Sequence, residues 1–565
     1  MRKIFLSLLA TLVVLYVPAQ ELPPVFVDQL VSDDWDQITG LTFAEDGRMY
    51  AWEKAGRLWV VEDDEKSDQP VIDISAEVGN WGDHGLTGVV LHPNFLNNGL
   101  FYLLYSVERH HLLYFGTPDY DPGISLTNQA SIGRLTRYTA DPATNFTSTI
   151  PNSRKVLIGE DISSGIPLLH VSHGVGHLAF GTDGTLLISV GDGGSPGGID
   201  SGGDAAGAFG VQALDDGIIS PKEDIGSFRA QLIDCLNGKM LRIDPNTGEG
   251  LPSNPWFDAT NPRAPRSRVW ALGLRNSYRF TVEPETGSHN PADGNPGVIV
   301  TGDVGWGFWE EINVITEGGQ NFGWPIYEGM LGRYPYTVTY INNQDAANPL
   351  FNGGNCDKEF FYFQDLIGQP HESDPLILAN RCDRNQVIPQ SIPQFVHQRP
   401  WLTWANRDGQ NMEEGVYTAG FDADGAAARI SVEAANTPVV SDTFSGTCAI
   451  GGVFYEGDNF PEEYQGDYFA IDYSGWIKRF ELNDERELVA IHPFLDGNQK
   501  IAHMSMNPND GCVYYIQYED VSSIRKICYG GNAAPTAHIA VDVQYGPSPL
   551  TVQFDGSGSV DPENA

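Results

Sequence analysis

Histidines 170, 173 and 177 open a segment that runs on as an alternating strand to Gly191-Asp192-Gly193-Gly194. A histidine just before a glycine-rich turn can stand at the mouth of a fold. With an ordinary pKa of about 6.5, the imidazole of His173 suits a general base at neutral pH. Asp192, at the far end of the same expected hairpin, is placed to orient that ring and to stabilise its protonated form. The plainer alternative is that the three histidines fill polar niches. A second segment, Gly273-Leu274-Arg275-Asn276, puts two donor-rich side chains after a glycine turn in a very acidic chain, which suits an electron-rich ligand atom. Its alternative is a surface arginine paired with a carboxylate. A third, Gly302-Asp303-Val304-Gly305-Trp306-Gly307-Phe308-Trp309-Glu310-Glu311, sets glycine-bounded carbonyls beside adjacent carboxylates, a donor set that suits calcium. Otherwise Glu310 and Glu311 cap a turn and the tryptophans belong to the core.

Residues so far apart need a scaffold, and the turns indicate which one. Asp46-Gly47, Asn98-Gly99, Asp183-Gly184 and Asp510-Gly511 each precede an alternating apolar strand, which is the signature of a hairpin. Gly 63, Pro 36 and 11% aromatic residues accompany short strands, while helical periodicity is scarce. The expectation is an all-β chain built from a repeated unit, as a propeller requires, because each blade buries its faces against its neighbours. The blades are long, so insertions are implied, the clearest at 334–410. Specificity is expected to sit there.

The balance of 33 basic and 74 acidic residues, a net charge of −41, disfavours nucleic acid and anionic membrane surfaces as partners. Arg2 and Lys3 precede an apolar run that ends at Val17-Pro18-Ala19, so residues 1–19 read as a signal peptide for a secreted or periplasmic protein, with no membrane span. Six cysteines in an exported chain are candidates for disulfides. Cys512 and Cys528 lie symmetrically about Asp520, and a hairpin turning there sets them opposite each other. Cys356 and Cys382 bracket one insertion, while Cys235 and Cys448 are either joined to each other or free.

Composition changes near Gly530-Gly531-Asn532-Ala533-Ala534-Pro535, which reads as a linker. The stretch after it, through Pro547 to Pro562, resembles the opening of a polycystic-kidney-disease (PKD) domain, an Ig-like β-sandwich. The later strands of such a domain are expected in a longer multidomain protein. The division is therefore 1–19, a propeller over 20–530, and linker plus partial PKD-like domain over 531–565.

Through most of 20–530 the chain resembles the glucose/sorbosone dehydrogenase family of soluble quinoproteins, which includes the hedgehog-interacting-protein-like proteins. The resemblance rests on Gly82-Asp83-His84-Gly85-Leu86-Thr87-Gly88, the His173 and Asp192 segments and Gly238-Lys239-Met240-Leu241-Arg242-Ile243-Asp244. It continues through Gly273-Leu274-Arg275-Asn276, Asp303-Val304-Gly305 with Glu310-Glu311-Ile312-Asn313, and Gly451-Gly452-Val453-Phe454-Tyr455. It implies a six-bladed propeller carrying pyrroloquinoline quinone and Ca2+, which oxidises a sugar hydroxyl and passes electrons to an external cytochrome or quinone-type acceptor. By the same resemblance His173 accepts the hydroxyl proton, Asp192 is its partner and Asp83 stands beside the substrate. Arg275, Asn276 and Gly305 contact the cofactor, and Gly305, Trp306 and Glu310 surround the metal. The family's usual His-Asn-Gly-Gly turn reads His173-Gly174-Val175-Gly176 here, and Lys478 and Arg479 fall late in their strand. The other reading of the scaffold is a non-catalytic calcium-binding propeller that binds a glycan or protein partner.

Overall fold

The computed structural model describes residues 22–407, 415–435, 437–497, 499–518, 522–530, 540–541, 553–557 and 559. Six sheets of four or more strands hold almost all of the regular structure, and no described helix exceeds six residues. The first strands of these sheets, in chain order, are Ile38–Phe43, Leu86–Leu91, Val175–Phe180, Ser277–Val282, Ala449–Phe454 and Lys500–Met506. Each touches the next, and the last touches the first, so they close a ring about one axis. The chain is thus all-β with a β-propeller arrangement, as expected.

Stacking explains the strand composition. A sheet between two neighbours is covered on both faces, so its second strand is buried throughout, in place of the one-sided burial that the expected alternation implied. Met49–Glu53, Leu186–Val190, Ile299–Asp303 and Tyr468–Asp472 are buried at every position. All four Asp-Gly or Asn-Gly turns fall between the first and second strands of a sheet. Their glycines have φ of +81, +65, +74 and +64°, the left-handed region that a side chain disfavours.

Crowding at the axis shapes the inner strands. Every one of the six carries a register shift against its second strand, beginning at Ile38, Leu86, Val175, Ser277, Ala449 and Ile501. A bulge bends a strand and re-aims its side chains. Thr39, Thr87, Tyr278, Ile450 and Ala502, which follow the onset of five of these shifts, all line one cavity on the axis. At Gly40 a Cβ would lie 1.8 Å from the Trp52 ring, so no side chain fits beside that bulge.

The ring is closed by the two ends of the propeller segment. Phe26–Ser32 is the outermost strand of the sheet built from Lys500–Met506, Val513–Tyr518 and Ser523–Tyr529, paired antiparallel from Phe26↔Tyr529 to Ser32↔Ile524. Phe26 packs edge-on against Phe460, Tyr464, Phe494 and Tyr529 at centroid distances of 4.8 to 5.2 Å. Beside this closure Cys512 and Cys528 form the disulfide that their symmetric placement implied, and Cys356–Cys382 forms the other. Cys235 and Cys448 are free. The insertion expected at 334–410 instead occupies 316–401, because Leu402–Asn406 pairs with Trp309–Ile315 in the main sheet; within it Asn342–Ala347 pairs with Phe360–Tyr362 and Ala379–Asn380 with Asp383–Val387. The expected signal peptide, the Asp520 turn and nearly all of the linker and PKD-like tail lie outside the described residues.

Ring closure yields a stability prediction. Phe26→Ala removes a buried ring that ties the first strand to two sheets and costs about 3–5 kcal/mol in urea unfolding. Truncation after Gly531 leaves that unfolding curve unchanged, and a comparable loss on truncation would mean that the tail completes a sheet.

Candidate active site

The axial cavity has a volume of about 520 Å³, and His173, Asp83, Arg275, Asn276, Gly305 and Trp306 all line it. His173 and Gly307, 134 positions apart, are brought together because His173 sits just before an inner strand and Gly307 in the turn between the second and third strands of the adjacent sheet.

His173 lies two residues before the strand Val175–Phe180 in a left-handed backbone conformation, φ +55°, uncommon for a residue with a Cβ and frequent where function fixes the geometry. The hairpin to Leu186–Val190 sets it against Asp192, with Gly193 N–H donating to the His173 carbonyl at 3.0 Å. The ring Nδ1 lies 2.9 Å from Asp192 Oδ1. Asp192 is fully buried, and it also accepts from Gly194 N at 2.7 Å and from Trp324 Nε1 at 2.7 Å. Its orientation is therefore over-determined. Burial alone pushes the Asp192 carboxyl up, but His173, Arg275 and the Gly194 N–H outweigh that and hold it down at about 2. Burial and the Arg275 charge lower the His173 pKa, against the pull of Asp192. A neutral imidazole whose Nδ1–H is given to a carboxylate keeps its Nε2 lone pair for a proton.

Arg275 and Asn276 turn into the strand Ser277–Val282, and one carboxylate holds that turn. Asp303 accepts from Arg275 N at 2.9 Å and from Asn276 N at 2.6 Å. The turn is also tied to the His173–Asp192 pair, since Asp192 N donates to the Arg275 carbonyl at 2.7 Å. The guanidinium donates to the Val304 carbonyl at 2.7 Å and lies 5.3 Å from the Trp324 ring centre. Its Nε is buried and has no partner among the described residues. A buried donor left open costs free energy unless a ligand answers it.

The loop Gly305–Trp309 is held from behind by two carboxylates. Glu328 Oε1 accepts from Trp306, Gly307 and Phe308 N–H at 2.9, 3.1 and 2.9 Å, and from Trp309 at 3.3 Å. Glu310 Oε2 accepts from Gly305 N at 3.2 Å and Ala449 N at 2.7 Å, while its Oε1 accepts from Asn406 Nδ2 at 2.6 Å. Glu310 is fully buried and does not line the cavity; burial, then the nearby Asp472, pushes its carboxyl up to about 8. With these N–H groups turned toward the carboxylates, the carbonyls of Gly305, Trp306 and Gly307 receive no donor from the described residues. A Cβ on Gly305 would lie 1.9 Å from the Trp309 carbonyl oxygen, so the loop admits only glycine there. No group of three or more His, Cys, Asp or Glu side chains suited to a metal occurs among the described residues.

Four contributors escaped the sequence reading. Lys54 lines the cavity, follows the buried strand Met49–Glu53 and donates to the Gly82 carbonyl at 2.6 Å; burial lowers its pKa against the pull of Asp83. Its signal was a lysine directly after an apolar strand. Tyr278 stands at a bulge, which no motif marks. Trp324 and Glu328 come from the start of the long insertion and meet the site only in three dimensions. Lys478 and Arg479 lie elsewhere: Lys478 sits 4.7 Å over the Phe444 ring, and Arg479 pairs with Asp467 at 2.5 Å.

The chain is similar to the HIPL2 protein of Arabidopsis thaliana, 26% identical over 354 residues, which are 58% of this chain and 44% of that protein. It is also 26% identical over 271 residues to the Hedgehog-interacting protein of Homo sapiens, covering 46% of this chain and 32% of that one. The chain thus spans less than half the length of either relative. A solved structure of a glucose dehydrogenase overlaps 88% of this chain and 98% of its own with a TM-score of 0.51 at 18% identity, a likeness of fold. The family model described as Glucose / Sorbosone dehydrogenase matches residues 35–352, a span that contains His173, Asp192, Arg275, Asn276 and the Gly305–Glu310 loop. The chain belongs to the glucose/sorbosone dehydrogenase family.

Proposed function

We propose that this chain is an exported six-bladed propeller that oxidises a sugar hydroxyl with pyrroloquinoline quinone and Ca2+ held in the axial cavity. The observation that carries the reading is the His173–Asp192 pair, 2.9 Å apart, opening onto a cavity that Arg275 also lines. The donor set fits an anionic planar cofactor and a hard cation: the unanswered Arg275 Nε, the Lys54 ammonium, and three loop carbonyls without a donor. In this reading Arg275, Asn276 and Lys54 hold the cofactor. Gly305 and Trp306 offer their carbonyls to calcium, and Glu310 and Glu328 fix the loop that presents them. When bound, the quinone supplies the hydride acceptor and calcium the Lewis acid.

The rest is the work of the chain itself. His173 Nε2 takes the proton of the sugar hydroxyl, and Asp192, held ionised, stabilises the imidazolium that results. Asp83, across the cavity wall, is placed to accept from a second sugar hydroxyl. The half-buried Trp306 ring, fixed by its Nε1 bond to the Pro196 carbonyl at 2.9 Å, offers an apolar face to a sugar. An external acceptor must then remove the electrons. The tail at 531–565 retains its proposed role as linker and opening of a PKD-like unit. The likeness to Hedgehog-interacting protein supports a second reading, a calcium-binding propeller without turnover that engages a glycan or protein. Protein reconstituted with quinone and calcium that oxidises no aldose in a dye-linked assay would favour that second reading over the enzyme.

Three outcomes test the assignment. His173→Gln keeps the fold and lowers kcat by roughly 10²–10⁴, and Asp192→Asn gives a smaller loss; wild-type turnover in His173→Gln refutes the base. The His173 imidazole, followed by NMR in the cofactor-free protein, titrates below its ordinary 6.5. Arg275→Met removes an opposing charge and moves that titration to higher pH. Turnover falls as pH drops through the same value, because a protonated ring accepts no further proton. Glu328→Ala leaves four loop N–H groups without their acceptor and weakens calcium binding by roughly 10–100-fold in calorimetry; unchanged affinity would remove the loop from the metal site.

A further inference from the structure

Directly below the catalytic cavity, one or two residues farther along the inner strands, lies a second cavity of about 210 Å³. Thr39, Tyr278 and Ala502 line the upper cavity, and Leu41, Arg279 and His503 the lower one. His177, from another inner strand, lines it too, with the hydroxyls of Thr42, Thr281 and Ser505. In a chain with 74 acidic and 33 basic residues, no carboxylate lines this chamber.

Arg279 is 3% exposed. Its Nη2 donates to the Thr39 carbonyl at 2.6 Å and the Tyr278 hydroxyl at 3.2 Å, and its Nη1 to the carbonyls of Gly176 and Tyr278 at 3.4 and 3.3 Å. Every one of these acceptors is neutral, and Nε has no partner among the described residues. A buried cation without a counter-charge is costly. The histidines add donors to it. His503 Nδ1 accepts from Leu41 N at 3.2 Å, so the proton of its neutral ring sits on Nε2. The His177 ring stands 5.5 Å from that of His503, and its buried Nδ1 has no partner among the described residues. Burial, then the Arg279 charge, pushes both histidines well down. The chamber therefore gathers a guanidinium and two imidazoles around a void and supplies no negative charge.

We infer that the lower chamber binds one small inorganic anion, a halide or a tetrahedral oxyanion, between Arg279, His177 and His503. The anion supplies the missing counter-charge and accepts from donors that the protein leaves open. This site is separate from the proposed catalysis and stands without it.

The test uses the full chain at fixed ionic strength, with gluconate replaced stepwise by bromide in one series and by sulfate in another. The midpoint of thermal unfolding rises with the logarithm of bromide or sulfate concentration, roughly 1–3 °C per decade. Bromide-soaked crystals show anomalous density beside Arg279 Nε. A response to bromide alone identifies a halide site, and a response to sulfate alone an oxyanion site. Arg279→Gln abolishes the response. If that variant does not fold, the double variant His177→Asn, His503→Asn retains the guanidinium and needs about tenfold more anion for the same shift. Identical unfolding in all three salts, a response undiminished in the variants, or bromide absent from the chamber would overturn the site.

Discussion

Six strands meeting at one axis cannot all remain regular, and the bulge that each carries at the same height is the constraint on which the site depends. The bulges turn Thr39, Thr87, Tyr278, Ile450 and Ala502 toward the axis, dividing the channel into an upper and a lower chamber. Above them, the segments that enter the inner strands converge, which is why His173 and Arg275 share a cavity wall. Function then follows from what stands at the strand ends rather than in the strands.

Buried carboxylates used as backbone acceptors do much of the shaping. Asp192, Asp303, Glu310, Glu328 and Asp472 are at most 3% exposed, and each accepts from main-chain N–H groups of segments near the cavity. A loop whose N–H groups face inward to a carboxylate must present carbonyls elsewhere. In Gly305–Gly307 that rule makes a concentration of lone pairs out of a sequence with no acidic residue of its own. The acidity of this chain is thus in part architectural, beyond keeping its surface solvated.

Much of this was legible in the sequence. The Asp-Gly and Asn-Gly turns marked the step from first to second strand because only glycine adopts the required φ without strain, and the symmetry of Cys512 and Cys528 about position 520 anticipated their bond. The family resemblance of their segments brought out His173, Asp192, Arg275 and Asn276, and the structure sets three of them on the cavity with Asp192 against His173. Glu310 was legible as a participant in the loop but not in its manner of acting: its oxygens are consumed by Gly305, Ala449 and Asn406. Glu328 and Trp324 were hidden, since their partners lie up to 132 residues away in sequence and nothing local announces them. The lower chamber was hidden for the same reason, Arg279, His177 and His503 coming from three different sheets.

In the proposed function the cavity holds a quinone through Arg275 and through calcium on the Gly305–Trp306 carbonyls. Equilibrium titration of the metal-free, cofactor-free chain with pyrroloquinoline quinone, followed by its absorbance with calcium and with chelator, addresses it directly. A saturable one-to-one complex that requires calcium and weakens by about tenfold or more in Arg275→Met is expected. Absence of a complex with calcium present, or equal binding in chelator, would contradict it.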